Sequence, residues 1–176
     1  RELNDLGFLQ SRFDVKIIDP DELAQAEPTV SRTGFDQIEF LFAPNPGEPC
    51  KPLKAIASSG ETARVMLALK TVLATQDSIP VLVFDEVDAN LGGETAGVVG
   101  KKMKQIGANR QVLCITHLAP VAAAGHRHYL VSKEVVEGRT LTRVTQLDDE
   151  SRVKELTRML GGGGAAARQH AEELLS

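Results

Sequence analysis

Apolar positions along the chain switch between an alternating and a helical spacing, and the switches predict the elements. Arg1 to Leu9 reads as the end of a helix that began upstream, and Phe13, Val15 and Ile17 then alternate with polar residues as in a strand. A polar connection containing Pro20 and Pro28 leads to Phe35 to Phe42, where Ile38, Phe40 and Phe42 oppose Gln37 and Glu39, with Leu41 the one mismatch. Pro44, Pro46, Gly47, Pro49 and Pro52 cannot continue a ladder or a helix, so residues 43 to 57 are expected to be a loop. From Glu61 onward Val65, Met66, Leu69, Val72 and Leu73 recur at helical spacing until Asp77 to Pro80 break the pattern. The run Val81 to Phe84 then reads as a buried strand.

A second helix, Glu94 to Ile106, gathers Val98, Val99, Met103 and Ile106 on one face, with Gly107 placed as a left-handed cap, and a second buried strand, Val112 to Thr116, follows. Two such strands joined by a helix make a βαβ unit, and a strand near Tyr129 to Val131, reached through a short Ala-rich helix, is expected to extend it. The expected fold is therefore α/β, a mainly parallel sheet flanked by helices. Residues 134 to 147 suit a hairpin turning at Glu137 and Gly138, and Ser151 to Leu160 returns to helical spacing. Gly161 to Ala167 is low-complexity and reads as a flexible join to a last helix; no internal repeat is visible.

With 42% hydrophobic residues in 176, the chain is long enough to bury an aliphatic core. Its apolar runs fall far short of the roughly 20 residues of a membrane span and no signal-like start is present, so a protein of the cytoplasm or its nucleoid, without a membrane partner, is expected. Cys50 and Cys114 make a disulfide framework improbable, and Cys114, inside an apolar run, suits a packing role. A formal net charge of -4 opposes strong nucleic-acid binding by this chain alone, so DNA contact must be local or supplied elsewhere.

Three places carry candidate chemistry. Asp85 and Glu86 emerge where a buried strand leaves the sheet, the edge at which open α/β sheets bind ligands. An aspartate there can hold Mg²⁺ through its water shell, and a glutamate one residue on can orient or deprotonate an attacking water; the pair also suits a plain solvated turn. Ser58, Ser59, Gly60 and Glu61 precede an amphipathic helix whose free N–H groups would receive phosphate oxygens, although Ser58 and Glu61 also have the spacing of a capping box. Thr116 and His117 end the next buried strand, where a histidine can meet a γ-phosphate or simply be structural. Cys114, His117, His126 and His128 could be read as a zinc set, but Cys114 and His117 point to different faces of a strand. Asp88, Asn90 and Gly92 do not make a calcium loop, because Val99 stands where a carboxylate is required.

The order of these features resembles the C-terminal lobe of an ABC/SMC-type P-loop ATPase head. The stretches Ile56 to Glu61, Arg64 to Lys70, Val83 to Asp88, Ile115 to Ala122 and Tyr129 to Lys133 are similar to the RecN family of SMC-like DNA repair proteins, a likeness that runs from Phe35 to Gly162 and includes Asn45-Pro46-Gly47. The resemblance implies that residues 1 to 10 end a coiled-coil arm, residues 11 to 162 form the lobe and residues 163 to 176 a C-terminal helix. It also implies that Ser58, Ser59, Gly60 and Glu61 are the signature motif contacting ATP held mainly by a second head. Asp85 would then be the Walker B carboxylate for Mg²⁺, Glu86 the catalytic base, Asp88 a D-loop residue reaching across the dimer, and His117 the switch histidine.

Two positions depart from the family pattern: Ser59 replaces a second glycine and Asn90 a D-loop glycine. The phosphate loop G-x-x-x-x-G-K-[ST] does not occur in the chain, so ATP hydrolysis is expected only with an N-terminal Walker A lobe. The resemblance further implies ATP-driven homodimerisation and action on double-stranded DNA in double-strand break repair and recombination through the full-length protein. The alternatives are a non-catalytic dimerisation module, a DNA-binding module using Lys101, Lys102, Lys104 and Arg110, and another ABC-type ATPase.

Overall fold

In a computed structural model the described residues are 1–18, 34, 36–56, 58–74, 76, 78–136 and 138–176. The Pro20 and Pro28 connection, and with it Phe35, Ala57, Asp77 and Glu137, lies outside them. The elements run α1 (Glu2–Asp5), β1 (Arg12–Ile18), β2 (Gln37–Ala43), β3 (Lys51–Pro52), α2 (Ser59–Val72), β4 (Val81–Phe84), α3 (Gly93–Gly107), β5 (Gln111–Cys114), α4 (Ala119–Ala124), β6 (Tyr129–Val136), β7 (Arg139–Gln146), α5 (Asp149–Met159) and α6 (Ala165–Leu175). The expected loop at 43 to 57 holds more order than its prolines suggested. Lys51 and Pro52 pair with the end of β2, and Leu53–Ala55 form a 3-10 turn.

β1 and β2 pair antiparallel from Arg12↔Ala43 to Ile18↔Gln37. β4 and β5 are the parallel pair, in register from Val81↔Gln111 to Phe84↔Cys114, with α3 as the crossover. The βαβ unit thus forms, but β6 does not extend it. It pairs antiparallel with β7 in a separate two-stranded sheet, because strands only two residues apart in sequence meet each other first. Beyond β4–β5, the pairings among the described residues are antiparallel.

The main core lies between α2, α3 and the inner face of β4. Val65, Leu67 and Ala68 of α2 meet Leu82, Phe84, Val99, Met103 and Ile106. Leu6, Phe8 and Phe42 close it, Phe8 and Phe42 meeting edge to face with centroids 5.1 Å apart. Lys102 is buried on α3, its ammonium held by the Glu2 and Asp5 carboxylates of α1, and those two hydrogen bonds oppose the effect of burial. A smaller cluster joins Ala119 and Ala122 of α4 to Leu156 and Ala171 of α5 and α6.

β4 and β5 are not buried on both faces as their sequences suggested. Leu82 and Phe84 point into the core, while Val81, Val83, Leu113 and Ile115 stand out from the other face, Val83 and Ile115 each 63% exposed. Alternation along a strand assigns four aliphatic side chains to a face that no described element covers.

The glycine cap falls at a different helix from the one expected. α3 runs through Gly107 and ends in 3-10-type bonds from Ala108 N–H and Asn109 N–H to the Gln105 and Ile106 carbonyls. It is α5 that ends on a left-handed glycine, Gly161 at φ +85°, which turns the chain toward α6; Ala165 to Ala167 already belong to that helix.

α3 and α4 touch at Gly100. A methyl group there would lie 2.9 Å from both the Pro120 carbonyl oxygen and Ala124 Cβ, so the helices meet without an intervening side chain. Gly100→Ala is therefore expected to lower stability by about 1–3 kcal/mol through overpacking, despite alanine's better helix propensity. Urea denaturation of the two proteins measures this, and an unchanged or higher midpoint would contradict the close approach.

Candidate active site

The loop that follows β4 is held from two sides. Asp85 and Glu86 leave the carboxyl end of β4 exposed, and the Ile115 N–H donates to the Phe84 carbonyl at 2.9 Å, carrying the parallel ladder one step further. Glu86 adopts φ +56° and Asn90 φ +60°. Asparagine tolerates the left-handed region, whereas glutamate does so at a cost the surroundings must offset.

Helix α2 supplies one side of the clamp. Ser58 is its N-cap, the hydroxyl accepting from the Glu61 N–H at 3.4 Å, so the capping-box spacing is used as a cap. Ser59 donates its hydroxyl to the Glu86 carboxylate. Gly60 admits the loop: a Cβ there would lie 3.0 Å from Ala89 Cβ and 3.1 Å from the Glu86 carbonyl oxygen. Arg64, one turn on, donates to the Ala89 carbonyl at 3.1 Å and lies 5.1 Å over the Phe8 ring. Burial lowers its pKa from the usual guanidinium value.

The other side is the turn between β5 and α4. Asp88 is 1% exposed, and its Oδ2 accepts from the Thr116 hydroxyl and from the His117 N–H at 3.2 Å. Oδ1 has no hydrogen bond and faces His117 Nδ1 at 3.6 Å, an ion-pair distance and not a hydrogen bond. Val87 and Asp88 both turn inward, and the carboxylate is occupied within its own chain.

The structure therefore joins Ser59 to Glu86 and His117 to Asp88, and residues 86 to 88 of one loop carry both contacts. Ser58, Gly60 and Glu61 shape the start of α2 beside it, and Asp85 lines an open cleft of about 560 Å³ between α2 and β4 with Ser59, Thr62, Met66, Lys70 and Val83. The contacts that spacing left unseen are Arg64, which shares the inner face of α2 with Gly60 four residues earlier, and the Thr116 hydroxyl. The four basic residues of the DNA-binding alternative do not form one free face: Lys102 is paired with Glu2 and Asp5, and Arg110 donates to the Ala74 carbonyl at 2.6 Å.

No family model matches the chain. Among solved structures, the Smc head domain with a coiled coil and joint from Pyrococcus yayanosii matches 99% of this chain and 28% of its own, with a TM-score of 0.57 at 20% identity. The Smc head domain from Pyrococcus furiosus, with an extended coiled coil and bound to the C-terminal domain of ScpA, matches 90% of this chain and 36% of its own, with a TM-score of 0.54 at 22% identity. At such identities the likeness establishes the fold, and the class is an α/β lobe of an SMC-type head.

Sequence relatives narrow this to one family. The chain is 45% identical over 98% of its length to DNA repair protein RecN of Treponema pallidum, 42% over 99% to that of Deinococcus radiodurans, and 38% over 99% to that of Vibrio cholerae. The chain belongs to the RecN family, as its C-terminal part, and spans about 30% of the length of these relatives.

Cys114 reports on the electrostatics of the site. Its thiol pKa is pushed up to about 12, first by burial and then by the Asp88 and Asp85 carboxylates. At pH 8 such a thiol is ionised in only about one molecule in 10⁴. A thiol reagent is accordingly expected to label Cys50 in the folded chain and Cys114 only after denaturation. Equal labelling rates for both cysteines would overturn this account of the loop.

Proposed function

We propose that this chain is the signature and Walker B lobe of an SMC-like ATPase head acting in DNA repair, and that it hydrolyses ATP once completed by an N-terminal Walker A lobe. One observation carries the reading. The loops after β4 and β5, neighbours in a parallel pair, bring the exposed Glu86 carboxylate and the His117 imidazole to the same sheet edge, with the start of α2 beside them. Membership of the RecN family and the SMC-type fold support it.

Mg²⁺-bound ATP would supply the electrophilic phosphoryl group. Hard carboxylate oxygens suit Mg²⁺, and Asp85, exposed beside Glu86, would hold the ion through its water shell. Glu86 would take the proton of the attacking water, and His117 would accept a hydrogen bond from that water at Nε2 and so position it. Ser58, Ser59, Gly60 and Glu61 would present the first N–H groups of α2 to nucleotide held by a second head, making ATP the link of a homodimer. The bare aliphatic face of β4 and β5 is the surface the N-terminal lobe would cover, since burying four such side chains is strongly favourable. Double-stranded DNA in break repair and recombination would be engaged by the full-length protein, residues 1 to 10 continuing into its arm and residues 163 to 176 forming a terminal helix.

The test is a head assembled from this chain and the family's N-terminal lobe. It is expected to hydrolyse ATP, and Glu86→Gln is expected to keep nucleotide binding while slowing turnover by about 10²-fold. Undiminished turnover in the variant would remove Glu86 from the role of base, and an inactive assembled head would reject the reading as a whole.

A further inference from the structure

We infer that Asp88 is a positioning residue for His117, fixing which imidazole nitrogen faces the reaction; the inference rests on the proposed role of His117. The argument begins with where the carboxylate lies. Removing an ionised carboxylate from water is unfavourable unless donors replace the lost hydration, and Asp88 is 1% exposed. Its Oδ2 receives two donors, the Thr116 hydroxyl and the His117 N–H, both from the turn after β5. Thr116 is fixed in turn, since its hydroxyl oxygen accepts from the Leu118 N–H at 3.0 Å. The backbone around His117 is thus tied to the loop carrying Glu86, two residues before Asp88.

Oδ1 has no hydrogen bond, and His117 Nδ1 stands 3.6 Å from it. A proton on Nδ1 is the donor that completes the carboxylate, and a small rotation of the ring brings it within bonding distance. With Nδ1 committed to Asp88, Nε2 is the nitrogen directed away from the protein. The side chain is 71% exposed, so without this partner the ring would be free to exchange rotamers and tautomers. A carboxylate that orients a histidine raises turnover by lowering the number of unproductive ring states, with little effect on how tightly nucleotide is held. Asp88 thereby acts within its own head and touches no substrate.

The experiment uses the assembled head with this chain labelled with ¹⁵N-histidine. The His117 imidazole is expected to show Nδ1 protonated, and Asp88→Asn to lose that signature. Asp88→Asn is also expected to lower kcat by about tenfold with KM for ATP within about twofold, and to slow a His117→Ala head no further. Additive losses in the double variant, or an unprotonated Nδ1 in the unaltered head, would overturn the inference. If Asp88→Asn fails to assemble, the unaltered head decides in its place: a protonated Nδ1 on His117 supports the pairing, and an unprotonated one overturns it. The imidazole signature does not depend on turnover, so failure of the ATPase reading, seen as unchanged turnover in Glu86→Gln, is distinguished from failure of the Asp88–His117 pairing.

Discussion

A carboxylate enclosed by protein must be matched by donors, and around Asp88 that requirement ties the site together. The residue follows Val87, which is anchored in the core, so the turn after β4 carries a charge inward as soon as it leaves the sheet. The donors that answer it come from the turn after β5, and two loops far apart in sequence become one unit. Parallel pairing of β4 and β5 brings both loops to the same edge, as an antiparallel arrangement would not. The exposed Asp85 and Glu86 lie beside a buried polar join that Asp88 makes with the Thr116 hydroxyl and the His117 N–H.

The start of α2 answers the same loop from the opposite side. Gly60 lets backbone approach backbone, Arg64 fixes the Ala89 carbonyl, and Ser59 holds the Glu86 carboxylate. Glu86 occupies the left-handed region, where a glycine would be at ease, so these contacts offset a conformation that local preference opposes. The hydroxyl of Ser59, a position where the resemblance leads one to expect glycine, is the group that reaches Glu86.

What was legible in the sequence follows from what spacing encodes. The helices α2 and α3 were readable because apolar residues recur along one face of each, and the strands β4 and β5 because their runs end at charged or hydroxyl residues. The partner of β6 was not readable, since alternation describes a strand and not its neighbour; nor could a run of four apolar residues in β4 show which face is covered. Asp85, Glu86 and His117 stood out through their order at strand ends. The inward turn of Asp88 did not, because an aspartate in a turn looks the same from sequence whether it meets water or a neighbouring loop. Gly107 and Gly161 illustrate the same limit: both follow helical runs, yet only Gly161 takes the left-handed conformation.

The contact at Gly100 has a mechanical consequence. Helix α3 begins just after Asn90, and α4 begins just after His117. With no side chain between them at their crossing, the two helices are in direct contact, so a displacement of either presses on the other. The supports behind Glu86 and His117 thus meet at one point, where a bulkier residue would disturb the footing of both loops together.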